Sequence, residues 1–232
     1  MAETSLTTYL SDRKRARLES GQADTLSSRS YNVLMCGVLA YGFALNALIV
    51  YLFAEPLMQL LSTVSPWVLL VAYLVCSLAG VLVAARSTNP FVSFLGYNLV
   101  VLPIGVMLAL LLPQFPVQTV TKAMTLTAMV TLTLLVFAIA RPQMFLGLGK
   151  TLFIGLLAGI VGELVATFLL GYRGSLFDWF FVVLFSGYIG YDISRSQAYP
   201  KTADNAVDCA LDIYLDIINV FIRILSLLAR RD

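Results

Sequence analysis

Seven apolar stretches constrain this chain more than anything else in it: Val33–Ala54, Trp67–Ala85, Phe91–Leu112, Ala123–Ala140, Leu152–Leu170, Phe177–Tyr191 and Ala206–Leu228. A bilayer core about 30 Å thick is crossed by about 20 mostly apolar residues in a helix. Lipid offers no partner to the peptide groups, so such stretches must satisfy their own hydrogen bonds, as helices do. Each stretch is bounded by turn-forming residues, among them Glu55-Pro56, Ser65-Pro66, Asn89-Pro90, Pro113, Pro116, Arg141-Pro142, Gly171 to Gly174, and Tyr199-Pro200. Composition agrees, with 59% apolar and 12% charged residues against about 45–50% and about 25% in soluble domains. The expected fold is all-α: a polytopic membrane protein of about seven transmembrane helices, with a polar tail over residues 1–30, a transmembrane domain over 31–232, and no soluble domain.

A formal net charge of +2, with basic residues spread along the loops, gives no surface suited to nucleic acid. Cys36, Cys76 and Cys209 lie in apolar runs without CxxC spacing, so buried thiols and no disulfide are expected. Histidine is absent, which removes the commonest metal ligand and general base and leaves carboxylates as the ionisable chemistry. No tightly bound cofactor is expected. The tail carries Arg13, Lys14, Arg15 and Arg17, with helix formers from Asp12 to Glu19, and reads as cytoplasmic rather than as a signal peptide.

Orientation follows from lysine and arginine in the short loops. An inside amino terminus places Arg13, Lys14, Arg15, Arg17, Arg29, Arg86, Arg141, Lys150, Arg195 and Lys201 inside, and Lys122 and Arg173 outside. An odd number of spans then puts the carboxyl terminus outside, whereas Arg230-Arg231 pulls the other way and leaves a re-entrant last segment open.

The last stretch is unlike the others. Asp204, Asp208, Asp212 and Asp216 recur every fourth residue, continued by Asn219 and Arg223, and on a helix they share one drifting face. One charge at mid-bilayer costs about 3 kcal/mol on insertion scales, so this stripe is expected to face protein or water and the helix to be central, ringed by the other six. Asp204 and Asp208 have a plainer reading as residues that cap and flank the helix start. Asp212 and Asp216 lie too far in for the helix dipole to explain them.

Asp192 closes the preceding stretch in Gly187-Tyr188-Ile189-Gly190-Tyr191-Asp192, where two glycines allow close packing. A short loop makes the two helices antiparallel neighbours, so Asp192 can approach Asp216 or Asp212. Two carboxylates sharing a buried site do not both ionise easily, which makes such a pair a proton sensor without histidine. Arg86, at the end of the second stretch on the same side, is the candidate counter-charge, and reads equally well as a positive-inside flank. Glu163 is the lone acid of the fifth stretch, either a second cavity residue or a packing group. Asp178 marks the outer edge of the sixth.

The segment Ala210-Leu211-Asp212-Ile213-Tyr214-Leu215-Asp216-Ile217-Ile218-Asn219-Val220-Phe221, with Tyr191-Asp192 shortly before it, resembles the Bax inhibitor family, the transmembrane Bax-inhibitor-motif family. The resemblance runs from about Tyr31 to Arg231, specific in the last two helices and hydropathic elsewhere. It implies six helices around a central seventh and a pH-dependent calcium leak. In that family two aspartates on the last two helices, held closed with an arginine of the second helix, sense pH and gate the cation. Carried over by motif, the pair that also binds calcium weakly is Asp192 with Asp216, and Arg86 is the third member. Asp212, Asp208 and Glu163 are the additional pore or cation-binding candidates.

A calcium leak gated by protons suits carboxylate chemistry, because calcium takes oxygen ligands in irregular geometry and a weak site lets it leave. The competing class is a non-transporting regulator that binds another membrane protein, such as a membrane protease or a cell-death factor. An intramembrane aspartyl protease also places one Asp on each of two helices, but no Gly-x-Gly-Asp or Pro-Ala-Leu element follows here, and the chain is not expected to be an enzyme. A retinal protein is excluded by the absence of lysine from the seventh stretch. The short chain without organelle signals suggests a bacterial inner membrane.

Overall fold

A computed structural model describes residues 25–172 and 174–230. The tail cluster of Arg13, Lys14, Arg15 and Arg17, the expected helix from Asp12 to Glu19, and Arg173 and Arg231 lie outside the described residues. Among those described, the chain is helical without strands. In order come α1 (Ser28–Leu61), α2 (Pro66–Arg86), α3 (Pro90–Leu111) with a 3-10 turn at Leu112–Gln114, α4 (Val117–Ala140), the short α5 (Pro142–Leu146), α6 (Gly149–Phe168), α7 (Leu176–Ala198) and α8 (Ala203–Ala229). Six of these helices, α1 to α4, α6 and α7, are long and apolar enough to cross a membrane. The chain is an all-α polytopic membrane protein and its setting is the lipid bilayer.

Helix starts follow local chemistry. Ser27 accepts a hydrogen bond from the Ser30 amide at 3.1 Å, and Asn89 accepts from the Phe91 amide at 2.9 Å. Pro66, Pro90 and Pro142 stand in first turns, where a missing N–H costs nothing. Three ends differ from the expected ones. Helix α1 runs through Glu55-Pro56 to Leu61, because a proline removes one backbone bond and the residues beyond it are helix formers. Its 34 residues reach about 51 Å, well past the hydrocarbon core. Helix α7 continues beyond Tyr191 to Ala198, since nothing breaks it before Tyr199-Pro200, so Asp192 lies inside the helix and not at its end. Helix α8 is capped by Thr202, whose hydroxyl accepts from the Asn205 amide at 3.2 Å, so Asp204 is not its cap.

The chain divides into two compact units. The first comprises the described residues up to Gln114 together with Tyr199–Leu211. Here α2 and α3 meet through small residues: a Cβ added at Gly80 would stand 2.6 Å from the Gly96 carbonyl, and one at Gly96 would stand 2.7 Å from the Ala84 amide. Gly42 gives way to the Tyr97 ring, whose hydroxyl donates to the Val38 carbonyl at 3.0 Å. The start of α8 is enclosed: Asn205, Ala206, Val207 and Asp208 are all buried, and successive residues point about 100° apart. Leu26 N–H donates to the Lys201 carbonyl at 2.7 Å, and the Lys201 ammonium stands 4.5 Å from the Tyr31 ring centre. Burial holds the Lys201 pKa below its ordinary value.

Ser93 Oγ donates to Asp204 Oδ1 at 2.6 Å, with both residues buried. A hydrogen bond to a charged group contributes about 1.5–3 kcal/mol. Ser93→Ala is therefore expected to lower the thermal unfolding temperature of the detergent-purified protein by several degrees. An unchanged temperature would mean that Asp204 is equally well satisfied by its other neighbours.

The second unit comprises the described residues of Phe115–Ala198 and those from Asp212 onward. Its core is Leu152, Phe181 and Leu184, with Leu148, Leu156, Phe177, Phe185, Tyr188 and Tyr191 packed around them. Gly190 lets Phe145 of α5 lie against α7, and Gly149 admits the Tyr191 ring. Large exposed apolar residues such as Leu132, Val136, Val161 and Leu164 cover the outer faces, as a lipid-facing surface requires. Cys36 and Cys76 are on exposed faces rather than buried as expected, while Cys209 is buried; none of the three forms a disulfide.

Candidate functional site

Within the second unit, α7 and the later part of α8 bring three carboxylates and one guanidinium together. Arg195 follows Asp192 by three positions, one helical turn on, and its Nη2 stands 2.8 Å from Asp192 Oδ1. The same nitrogen donates to Asp212 Oδ2 at 2.7 Å. Arg195 also lies over the Tyr191 ring, 5.1 Å from its centre. The Asp216 carboxyl is within hydrogen-bonding reach of Asp192, and Tyr188 lies beside both. Asp192 and Asp216 are buried, and the Asp212 side chain is 11% exposed. Asp212 and Asp216 are thus shielded, as the insertion cost of the stripe requires.

Charge counting decides what this cluster can do. Fully ionised, these three carboxylates and one guanidinium together carry an excess of two negative charges. Such an excess at depth is costly unless it is neutralised. Asp216 Oδ2 is buried and accepts no hydrogen bond among the described residues. Calcium takes six to eight oxygens, most of which water would supply here. Among the described residues no three carboxylate, cysteine or histidine groups converge as a metal site.

Arg86 is exposed in the last turn of α2, in the first unit, and makes no ion pair among the described residues. Asp204 and Asp208 are buried, also in the first unit. A four-residue step turns about 40° around a helix, so from Asp204 to Asp216 the stripe winds by about 120° and serves two surroundings.

Glu163 belongs to a second ionic cluster at the far end of α7, about 21 Å from Asp192 along that helix. Arg223 grips it with two parallel bonds, Nη1 to Oε1 at 2.6 Å and Nη2 to Oε2 at 2.8 Å. Nη1 also donates to Asp178 Oδ1 at 3.1 Å, and Ser226 Oγ donates to Asp178 Oδ2 at 3.0 Å. Arg230 reaches the same Oδ2 at 3.5 Å, and Arg223 lies 4.4 Å from the Phe181 ring centre. Sequence reasoning did not single out Arg195, Asp178 or Arg223 as site residues. The spacing of Asp192 and Arg195 is the signal for the first. Nothing local pairs Arg223 with Glu163, 60 positions away.

The family model described as "Inhibitor of apoptosis-promoting Bax1" matches residues 24–232. Two proteins of Helicobacter pylori, from strains J99 and 26695, each described as an uncharacterized protein, are 30% identical over 142 residues. The matched region is 60% of this chain and 57% of each of theirs, so the chain spans little more than half the length of these relatives. No solved structure matches it.

Proposed function

The chain belongs to the Bax inhibitor family, and from that premise together with the α7–α8 carboxylate cluster we propose that it is a pH-sensitive calcium leak channel. The observation that carries this reading is the burial of Asp216 beside Asp192, with its Oδ2 accepting no hydrogen bond among the described residues. In the closed state Arg195 holds Asp192 and Asp212 together and so ties α7 to α8. Protonation of the aspartate pair discharges it, weakens the grip of Arg195, and shifts the equilibrium toward an open state. Calcium then passes as cargo over the carboxylate oxygens. Two carboxylates make only a weak site, as permeation requires. Calcium flux into liposomes holding only this protein, followed across a pH series, tests the reading.

The printed description of the matched family, as an inhibitor of Bax1, supports a second reading: a non-transporting regulator that binds another membrane protein. Liposomes without any partner separate the two, because only the leak carries calcium there. Neither reading assigns catalysis.

In the proposed topology α8 is the seventh span of a bacterial inner-membrane protein whose amino terminus is cytoplasmic. The loop arginines and lysines support it, and so do the bacterial relatives. Single cysteines at the exposed Ser27 and Gln197, in a background without the native thiols, are expected to react with a membrane-impermeant maleimide only when the cytoplasmic face is open. Labelling of both from the opposite face in intact cells would reverse the orientation.

A further inference from the structure

Most ionic clusters in a helical membrane protein are explained by the cost of leaving a charge alone in lipid. The cluster of Glu163, Asp178 and Arg223 differs in three ways. All four carboxylate oxygens are consumed: both of Glu163 and one of Asp178 by Arg223, and the last by Ser226 and Arg230. The guanidinium is fixed, forked onto Glu163 and laid over Phe181. The Arg223 and Glu163 side chains are nonetheless 24% and 32% exposed, so the pair is not sealed inside the protein.

The charges balance as well. Two carboxylates face two guanidinium groups, in contrast with the excess of two negative charges around Asp192. Three of the four oxygens, both of Glu163 and Oδ1 of Asp178, meet at the Arg223 guanidinium, so a cation belonging to the chain already stands against the kind of hard oxygens a divalent cation seeks.

We propose that Arg223 is a tethered cation that occupies the oxygens of Glu163 and Asp178 and blocks calcium at the end of the conduction route opposite Asp192. The block rests on the leak reading of the previous subsection, and the occupancy does not. A calcium ion arriving at this end finds no free oxygen and a fixed positive charge. Passage then requires the guanidinium to swing aside, so Arg223 limits the rate at every pH while the Asp192 cluster sets the pH at which the route opens.

The test compares wild type, Arg223→Gln and Arg223→Lys as purified full chains, by calcium flux in liposomes and by thermal melting in detergent with and without calcium chloride. Glutamine keeps the length and removes the charge. It is expected to raise flux several-fold at each pH with an unchanged midpoint, and to make the melting temperature rise with calcium, which wild type does not show. Lysine keeps the charge and is expected to behave like wild type in both measurements. If wild type carries calcium, the absence of either change in folded Arg223→Gln overturns the proposal. Failure of both variants to fold also overturns it, because Arg223 would then be a structural bridge. If wild type carries no calcium, the leak reading and the block fall together, and the calcium-dependent melting of Arg223→Gln alone decides the occupancy.

Discussion

Replacing Asp192 and Asp216 together by asparagine is expected to flatten the pH dependence of calcium flux. Asparagine keeps the shape and much of the hydrogen bonding of each side chain and takes away the titration. One titrating carboxyl can change an open-to-closed ratio by up to about tenfold per pH unit, since a unit is worth about 1.4 kcal/mol. The double variant should hold its flux within about twofold over the same range, because no proton-linked term then separates the two states. Each single variant should retain part of the slope, since a coupled pair titrates as a unit and the remaining carboxyl still sits beside Arg195. Stopped-flow dye measurements on liposomes clamped at different pH values give the profile. A double variant with the wild-type profile would make the α8 stripe structural and locate the sensor elsewhere.

Arg195→Ala carries the other large expectation, with effects on both stability and gating. Breaking a buried pair by removing one partner costs about 3–5 kcal/mol, because the other charge is left uncompensated. The Arg195 side chain is 25% exposed, so water compensates part of the loss, and a decrease of about 2 kcal/mol is expected. For a chain of this size that is a fall in melting temperature of about 5 °C. The gating effect has a definite sign. The guanidinium favours the charged carboxylates, so without it protonation sets in at higher pH, and the midpoint of the flux profile should rise by about one unit. Arg86→Ala, at an exposed arginine in the first unit, provides the comparison. A larger midpoint shift in Arg86→Ala than in Arg195→Ala would make Arg86 the counter-charge of the pair.

The difference between those two arginines shows what the sequence could and could not disclose. The α8 stripe was legible because several acids in an apolar helix have no cheap location except against protein or water. The Asp192–Asp216 pair followed from it, given a short antiparallel connection. Arg195 was counted among loop residues because the apolar stretch stops at Tyr191. The helix itself has no reason to stop until Tyr199-Pro200, and its last turn and a half carries the arginine back onto Asp192. Apolarity marks where a helix lies in lipid, whereas breakers mark where it ends. Pro56 shows the converse, a breaker that the helix passes through. The Glu163–Arg223 bond was beyond local reading, since it joins α6 to α8 and depends on packing that no spacing encodes.

Glycine contacts give the same lesson. Gly187 and Gly190 were read as permitting close helix packing, with no neighbour assigned. In the structure a Cβ at Gly190 would run into Phe145 of α5, and one at Gly187 into Leu152 of α6. The small residues mark a close approach correctly, but the neighbour is chosen by the fold.

The most direct test of the leak is calcium entry into liposomes containing the purified wild-type chain and no other protein, recorded as the pH is lowered from above neutrality. The account predicts entry above that of protein-free vesicles, rising as the aspartate pair is protonated and falling again on return to the starting pH. Entry no faster than in empty vesicles at every pH, with the protein shown to be folded and inserted, would contradict it.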